Sequence, residues 1–299
     1  MGGWQISDSF ILHVKDVSGA DRLAEKPGDL DVVDASRKFS LVHADGAVDQ
    51  FLVVSNLDFG DVVGEAAGNA RSICQKLPSN AARRIVQPTT AGTFEEFSFA
   101  IYPRYLPLSD SRLRGRLQNL FFIGELAAWH AEFVAATESP MAATLREQTV
   151  DRLCALNRCF DDDTVRKAKI DESVKRLQSG DHQPLYTSAA HNDLWRGNVL
   201  RVGGLSNEVR IIDWGGLNMK SNPFYDLIRV VESFRVPRRM ALGLFREHEA
   251  LMHCDRRDVR LYFYMAMADQ LHSLDNFPMD RFRETVVRCD DILERYRHT

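Results

Sequence analysis

Near residue 107 the pattern of apolar residues changes, and that change limits what this chain can fold into more than any other feature. Before it the apolar residues fall in short runs suited to strands, at 9–14, 39–43, 51–55, 84–87 and 96–102. Turns at Lys26-Pro27-Gly28-Asp29 and Ala44-Asp45-Gly46 break them, and one helical stretch at 61–76 interrupts them. After it, helical spacing dominates. The segment 112–136 carries Leu120, Ile123, Leu126, Ala127 and Trp129 on one stripe, and further helices are expected at 141–158, 163–178, 223–234, 238–253, 257–275 and 279–296. A chain of 299 residues exceeds what a single core usually serves, so the expected architecture is α+β in two parts, a β-rich 1–106 and a helical 107–299.

Composition narrows the function classes. The formal net charge is −4 with mixed signs throughout, which offers no electrostatic footprint for nucleic acid. No apolar run approaches the roughly 20 residues of a membrane span, and Met-Gly-Gly-Trp-Gln lacks the basic and apolar regions of a signal peptide. The five cysteines, Cys74, Cys154, Cys159, Cys254 and Cys289, are scattered and odd in number, as free thiols in a reducing compartment would be. A cytoplasmic protein without a membrane or nucleic-acid partner is expected.

Chemistry is concentrated between residues 191 and 213, where His-Asn-Asp-Leu-Trp-Arg-Gly-Asn precedes an apolar run, a Gly203-Gly204 and Ser206-Asn207 turn, and Ile-Ile-Asp-Trp. A loop carries Asp193 and Asn198 five residues apart, and the strand-like segments 198–202 and 208–213, which the turn folds into a hairpin, bring Asp213 back beside it. Phosphoryl transfer needs a carboxylate beside the acceptor hydroxyl and Mg²⁺ on the phosphate oxygens. Mg²⁺ prefers oxygen and keeps several waters, so one carboxylate and one amide oxygen suffice from the protein. Asp193 is the candidate base, and Asn198 and Asp213 are the candidate metal ligands.

The order His191-x-Asp193-x-x-x-x-Asn198, Ile212-Asp213-Trp214, Asn222-Pro223-Phe224-Tyr225-Asp226-Leu227 resembles the aminoglycoside phosphotransferase and choline kinase superfamily, small-molecule relatives of protein kinases. His191-Asn192-Asp193 is closer to the choline kinases, and the two later motifs are closer to the antibiotic phosphotransferases. The resemblance implies a bilobal protein-kinase-like fold with ATP or GTP between the lobes, and transfer to a small-molecule hydroxyl on an antibiotic, sugar, polyol or amino alcohol. It makes His191 an anchor of the catalytic loop and gives Asp226 the same supporting role, by pairing with loop groups or capping the helix that starts near Pro223. It also makes Ile101-Tyr102-Pro103-Arg104-Tyr105-Leu106-Pro107 the hinge where the adenine binds, with Tyr102 and Arg104 as nucleotide contacts.

The amino-terminal part departs from that pattern. Relatives carry a phosphate-contacting lysine on the strand after the Asp-Gly turn, paired with a helix glutamate. Here that position falls on or next to Val53, where there is no lysine, whereas Glu65 matches the glutamate. Lys38 is the preferred substitute, because Asp34-Ala35-Ser36-Arg37-Lys38-Phe39 occupies the stretch where relatives fold a loop over the phosphates. The missing lysine also motivates a reading from another class, a non-catalytic kinase-like binding or scaffold protein. The intact Asp193, Asn198 and Asp213 argue against it, since a scaffold needs no metal site.

For the acceptor the candidates are Trp195, Arg196, Trp214 and Asp269. A tryptophan face suits sugars or cations, and an arginine fork suits carboxylate or phosphate. With neutral to basic residues at Asn218-Met219-Lys220-Ser221-Asn222, a neutral or anionic hydroxyl compound is favoured over a cationic antibiotic. Other motifs fail. His248 and His253 are five apart rather than four and so leave one helix face, which makes 248–253 an exposed polar segment rather than a zinc site. Neither a Gly-x-x-x-x-Gly-Lys-Ser/Thr loop nor a Gly-x-Ser-x-Gly elbow is present.

Overall fold

In a computed structural model the described residues are 4–25, 36–203, 206, 208–273 and 278–297. The expected turn at residues 26–29, the 34–35 end of the Lys38 segment and most of the 203–207 turn lie outside them. The chain forms two compact units, 1–107 with 200–215 and 108–199 with 216–299. The metal-ligand candidate Asp213 therefore belongs to the first unit, whereas Asp193 and Asn198 belong to the second.

The first unit begins with a correction. Residues 9–14 are not a strand but part of helix α1 (Asp8–Ser18). Local caps decide this: the Ser7 side chain accepts the Phe10 N–H, and Gly19 closes the helix at φ 70° with its N–H on the Lys15 carbonyl. The strands β1 (Arg22–Glu25), β2 (Ser36–Val42) and β3 (Gln50–Asn56) follow, then α2 (Val62–Cys74) and the single turn α3 (Ser79–Ala82). With β4 (Thr90–Phe94) and β5 (Phe97–Pro103) they make an antiparallel sheet ordered β1-β2-β3-β5-β4. One face packs against α1 through Phe10, Val14, Leu52, Val54, Phe97 and Phe99; the other packs Val53, Ala100 and Tyr102 against Val63 and Ala67 of α2.

Residues 84–87 are likewise not a strand. They make one parallel bridge, Ile85 to Ile211, in which the Ile211 N–H donates to the Arg84 carbonyl and the Val86 N–H to the Ile211 carbonyl. Pro88 lacks the N–H that would extend the pairing. After β6 (Leu106–Pro107) the chain runs through the second unit as α4 (Arg112–Thr137), β7 (Ser139–Pro140), α5 (Ala143–Arg158), α6 (Thr164–Ser179) and β8 (Tyr186–Ala190). The expected hairpin forms as β9 (Val199–Arg201) and β10 (Val209–Ile211), next to β6. Then come β11 (Asn218–Ser221), α7 (Phe224–Ser233), α8 (Arg238–Leu251), α9 (Asp258–His272) and α10 (Met279–Arg297). No helix among the described residues is long and apolar enough to cross a membrane.

In the second unit, α9 is buried on all sides from Leu261 through Ala268, the state of a helix enclosed by others rather than lying on a surface. Asp290, fully buried on α10, ties three helices together through Lys169 at 2.6 Å, Arg166 at 3.3 Å and Arg260 at 3.6 Å. On α4 the buried stripe runs through Phe122, Ile123, Leu126, Trp129 and Phe133; Leu120, expected on it, is exposed.

His248 is also not the exposed residue that its polar neighbourhood implied. It is fully buried, and its Nε2 lies 2.9 Å from Nδ1 of the equally buried His130. Burial holds the His248 imidazole down at about 4 and the His130 imidazole well below its ordinary value, each also facing the other ring. Between pH about 6.5 and 4 the unfolded chain therefore takes up protons that the folded pair refuses. This stability is full above about 6.5 and declines as pH falls, by about 3 kcal/mol for His248 alone. The thermal midpoint of a non-titrating His248→Gln variant should depend less on pH across that window than that of the wild type.

Candidate active site

The catalytic-loop candidates are held by buried groups of the second unit. Asp226, on the first turn of α7, is fully buried; its Oδ2 accepts the His191 N–H at 2.6 Å and its Oδ1 the Leu194 N–H at 3.4 Å. Burial pushes this carboxyl up to about 7, while the backbone N–H groups of His191, Leu194 and Asn192 pull it down. Asp226 thus pairs with the loop, and Asn222 does the capping: its Oδ1 accepts the Phe224 N–H at 3.2 Å while its Nδ2 donates to the Tyr262 carbonyl at 2.8 Å. The buried His191 ring accepts the Asp193 N–H at Nδ1, 3.3 Å away. Asn192 takes a left-handed φ of 65° and donates from Nδ2 to the Gly216 carbonyl at 2.9 Å. Gly216 must be glycine for this contact, since a Cβ there would stand 2.9 Å from the His191 carbonyl oxygen.

This support leaves the Asp193 carboxylate half exposed, with donors on both oxygens. Asn198 Nδ2 donates to Oδ2 at 2.7 Å and to the Asp193 carbonyl at 2.9 Å, and Arg229 Nη2 approaches Oδ1 at 3.5 Å. With both amide hydrogens of Asn198 directed at Asp193, its Oδ1 is the atom left for a cation. An amide oxygen and a carboxylate are the donors a hard ion such as Mg²⁺ takes. No group of three or more His, Cys, Asp or Glu that could hold a metal ion occurs among the described residues.

In the first unit Asp213, two residues past the end of β10, adopts a left-handed φ of 67°, a conformation Asp tolerates better than most residues. The turn is tied to α2 by Asn69, whose Nδ2 donates to the Trp214 carbonyl at 3.0 Å. Tyr102 is pushed up to about 12, first by burial and then by the Asp213 charge, against the opposing pull of Arg71. Arg104 donates its N–H to the Asp49 carbonyl and its Nη1 to the Val48 carbonyl, at 2.8 and 3.0 Å. Glu65 is exposed and makes no ion pair among the described residues.

Strand register places Lys38 in one row with Val53, Ala100 and Ala91 across β2, β3, β5 and β4. Direct cross-strand partners project on the same face, with Cβ atoms about 5 Å apart. Lys38 therefore rises from the α2 face one strand away from the valine that stands in the lysine position. It is exposed and makes no hydrogen bond or ion pair among the described residues, whereas Arg37 points to the other face and is bound to Glu25 and the Trp4 carbonyl.

Three acceptor candidates are otherwise engaged. Arg196 is a structural anchor: Nε donates to Asn119 at 2.9 Å, Nη1 to Asp110 at 3.0 Å and Nη2 to the Ser109 carbonyl at 2.5 Å. The Trp214 indole is core, 1% exposed, with Nε1 on the Ile211 carbonyl at 3.2 Å. Asp269 is paired with Arg152 at 2.6 Å. Trp195 alone keeps an open face, 41% exposed, with its ring edge over Gly197. Sequence reasoning missed Arg229. Its signal was its place one helical turn after Asp226.

No family model and no curated protein matches this sequence. Solved structures do. The gentamicin–APH(2")-IIa complex aligns with a TM-score of 0.57 at 12% identity, over 98% of this chain and 97% of that one. Choline kinase LicA from Streptococcus pneumoniae aligns at 0.54 and 11% identity, over 97% and 100%. The chain has the aminoglycoside phosphotransferase and choline kinase fold. A putative fructosamine-3-kinase from Haemophilus somnus 129PT shares this fold at 0.51 and 10% identity, over 95% and 96%. Since the named molecules range from gentamicin to choline and fructosamine, this fold does not by itself choose an acceptor.

Proposed function

We propose that this protein transfers the γ-phosphoryl group of ATP or GTP to a hydroxyl of a small molecule. The observation that carries the reading is the pairing of Asp193 with Asn198: one side chain orients the carboxylate and keeps its own amide oxygen for a cation. In this reading Asn198 and Asp213 hold Mg²⁺, which supplies charge neutralisation on the phosphate oxygens when bound. Asp193 accepts a hydrogen bond from the acceptor hydroxyl and directs its oxygen in line with the γ-phosphorus. The new O–P bond forms as the bond from the γ-phosphorus to the β–γ bridging oxygen breaks; the electron pair leaves on the nucleoside diphosphate and the hydroxyl proton passes to Asp193. Tyr102 and Arg104 border the base of the nucleotide.

Lys38 takes the phosphate-contacting role of the lysine absent at Val53. Its ammonium, without a partner among the described residues, and its register beside Val53 support this. Lys38→Ala should raise the nucleotide KM roughly tenfold, the loss of one charge-assisted contact, and an unchanged KM would remove Lys38 from the site. Val53, and a Glu65 without an ion pair among the described residues, favour the second reading, a non-catalytic kinase-like binding or scaffold protein. Thermal denaturation with ATP and GTP, each with and without Mg²⁺, separates the two. A Mg²⁺-dependent rise in midpoint that Asp213→Ala abolishes is expected of the enzyme; no rise with either nucleotide would favour the scaffold.

A further inference from the structure

We propose that Arg229 binds an oxyanion of the acceptor, so that the substrate carries its reacting hydroxyl and a carboxylate or phosphate group close together on one small molecule. The proposal rests on the phosphotransferase reading and deepens it from a hydroxyl compound to an anionic one.

Arg229 is rigidly placed. It lies one turn beyond Asp226 on α7, and Asp226 is bound to the backbone of the loop that carries Asp193. Its side chain is 16% exposed and ends 3.5 Å from Asp193 Oδ1. A guanidinium brought this far out of water is expected to use most of its five N–H donors, at 2.7–2.9 Å where the acceptor is charged. Arg196, in the same unit, does so with three side-chain nitrogens. Arg229 makes one long hydrogen bond, and its Nε is enclosed without a partner. The remaining terminal donors sit beside the reacting position with no protein acceptor among the described residues.

The neighbouring carboxylates point to the same ligand class. Asp193 faces Arg229, Asp226 faces backbone N–H groups, Asp269 is bound to Arg152, and Glu232 is bound to Arg288 at 3.1 Å. A polycation or quaternary ammonium would find none of these free and would meet a fixed positive charge beside its reacting hydroxyl. An oxyanion would complete the guanidinium fork. The short separation between Asp193 and Arg229 requires the hydroxyl and the anionic group to be only a few bonds apart.

Nucleoside diphosphate release should be measured with glycerate, glycerol 3-phosphate, glycerol, choline and gentamicin, for the wild type, Arg229→Gln and Arg229→Lys. Glycerate and glycerol 3-phosphate separate a carboxylate site from a phosphate site. Transfer to at least one of them in preference to glycerol is expected. Arg229→Gln should raise its KM about 10–100-fold, the loss of a charge-assisted fork, with the nucleotide KM within about twofold of wild type. Arg229→Lys should fall between, since it keeps the charge and loses the fork. Preference for glycerol, choline or gentamicin overturns the proposal. So does a rise in the nucleotide KM in place of the acceptor KM, which would assign Arg229 to the donor phosphates. Nucleotide binding with transfer to neither anionic compound overturns it as well. Absence of any Mg²⁺-dependent nucleotide binding is a separate result, the failure of the phosphotransferase reading itself. Arg229→Lys keeps the test open if the glutamine variant does not fold.

Discussion

Asp193→Asn should lower kcat by about 10²–10⁴-fold, the range for losing a positioned general base, while the nucleotide KM and the thermal midpoint stay near wild type. The Asp193 side chain is 46% exposed, so the substitution exposes no core and opens no cavity. An asparagine Oδ1 can still accept the Asn198 amide, and the loop keeps its anchors at His191 and Asp226. What disappears is the carboxylate that, in the proposed reaction, takes the hydroxyl proton. Single-turnover phosphoryl transfer measures this directly, and a near wild-type rate in the variant would remove Asp193 from the reaction.

Asp226→Ala should do damage of a different kind, to fold and rate together. The carboxylate is fully buried and receives backbone N–H groups of the catalytic loop. Truncation leaves those donors inside the protein without an acceptor, at about 1–3 kcal/mol each. A total of about 3 kcal/mol corresponds to a midpoint lower by roughly 6–12 °C. Because Asp193 sits on the released loop, kcat should fall as well, even at temperatures where the variant is folded. Paired melting curves and rates test this, and a variant with normal stability and normal kcat would show that the loop holds its own shape.

The contrast between these two aspartates shows how far the sequence could be read. Asp193 and Asn198 were legible because their spacing along one loop is local, and a five-residue loop brings the amide onto the carboxylate with little help from the rest of the chain. The helices of the second unit were legible because their period is strong, and their starts and ends fall close to the expected positions. Residues 9–14 were misread because Phe, Ile, Leu and Val alternate with either period over so short a run. Ser7 and Gly19, at the two ends, settle the matter as caps.

Other features had no signature in the chain. Arg196 was read from the sequence as an acceptor candidate, and Arg229 was passed over. Only the acceptors brought up by Ser109, Asp110 and Asn119, from 77 to 87 residues away, turn the first into a structural anchor, while the second keeps donors unused among the described residues. His248 read as a polar surface residue until His130, on another helix, enclosed it. The lysine position at Val53 read simply as vacant, and the pairing of β2 with β3 sets Lys38 beside it.

By itself the sequence determined the periodicity of its elements, the α+β class and the local contact of Asn198 with Asp193, because these depend on neighbours within a turn or two of backbone. Tertiary structure alone decided which charges are satisfied, which histidines are buried and which strand stands beside Val53. Those properties depend on the packing of residues distant in the chain, where desolvation and hydrogen-bond partners are set by what folds against them.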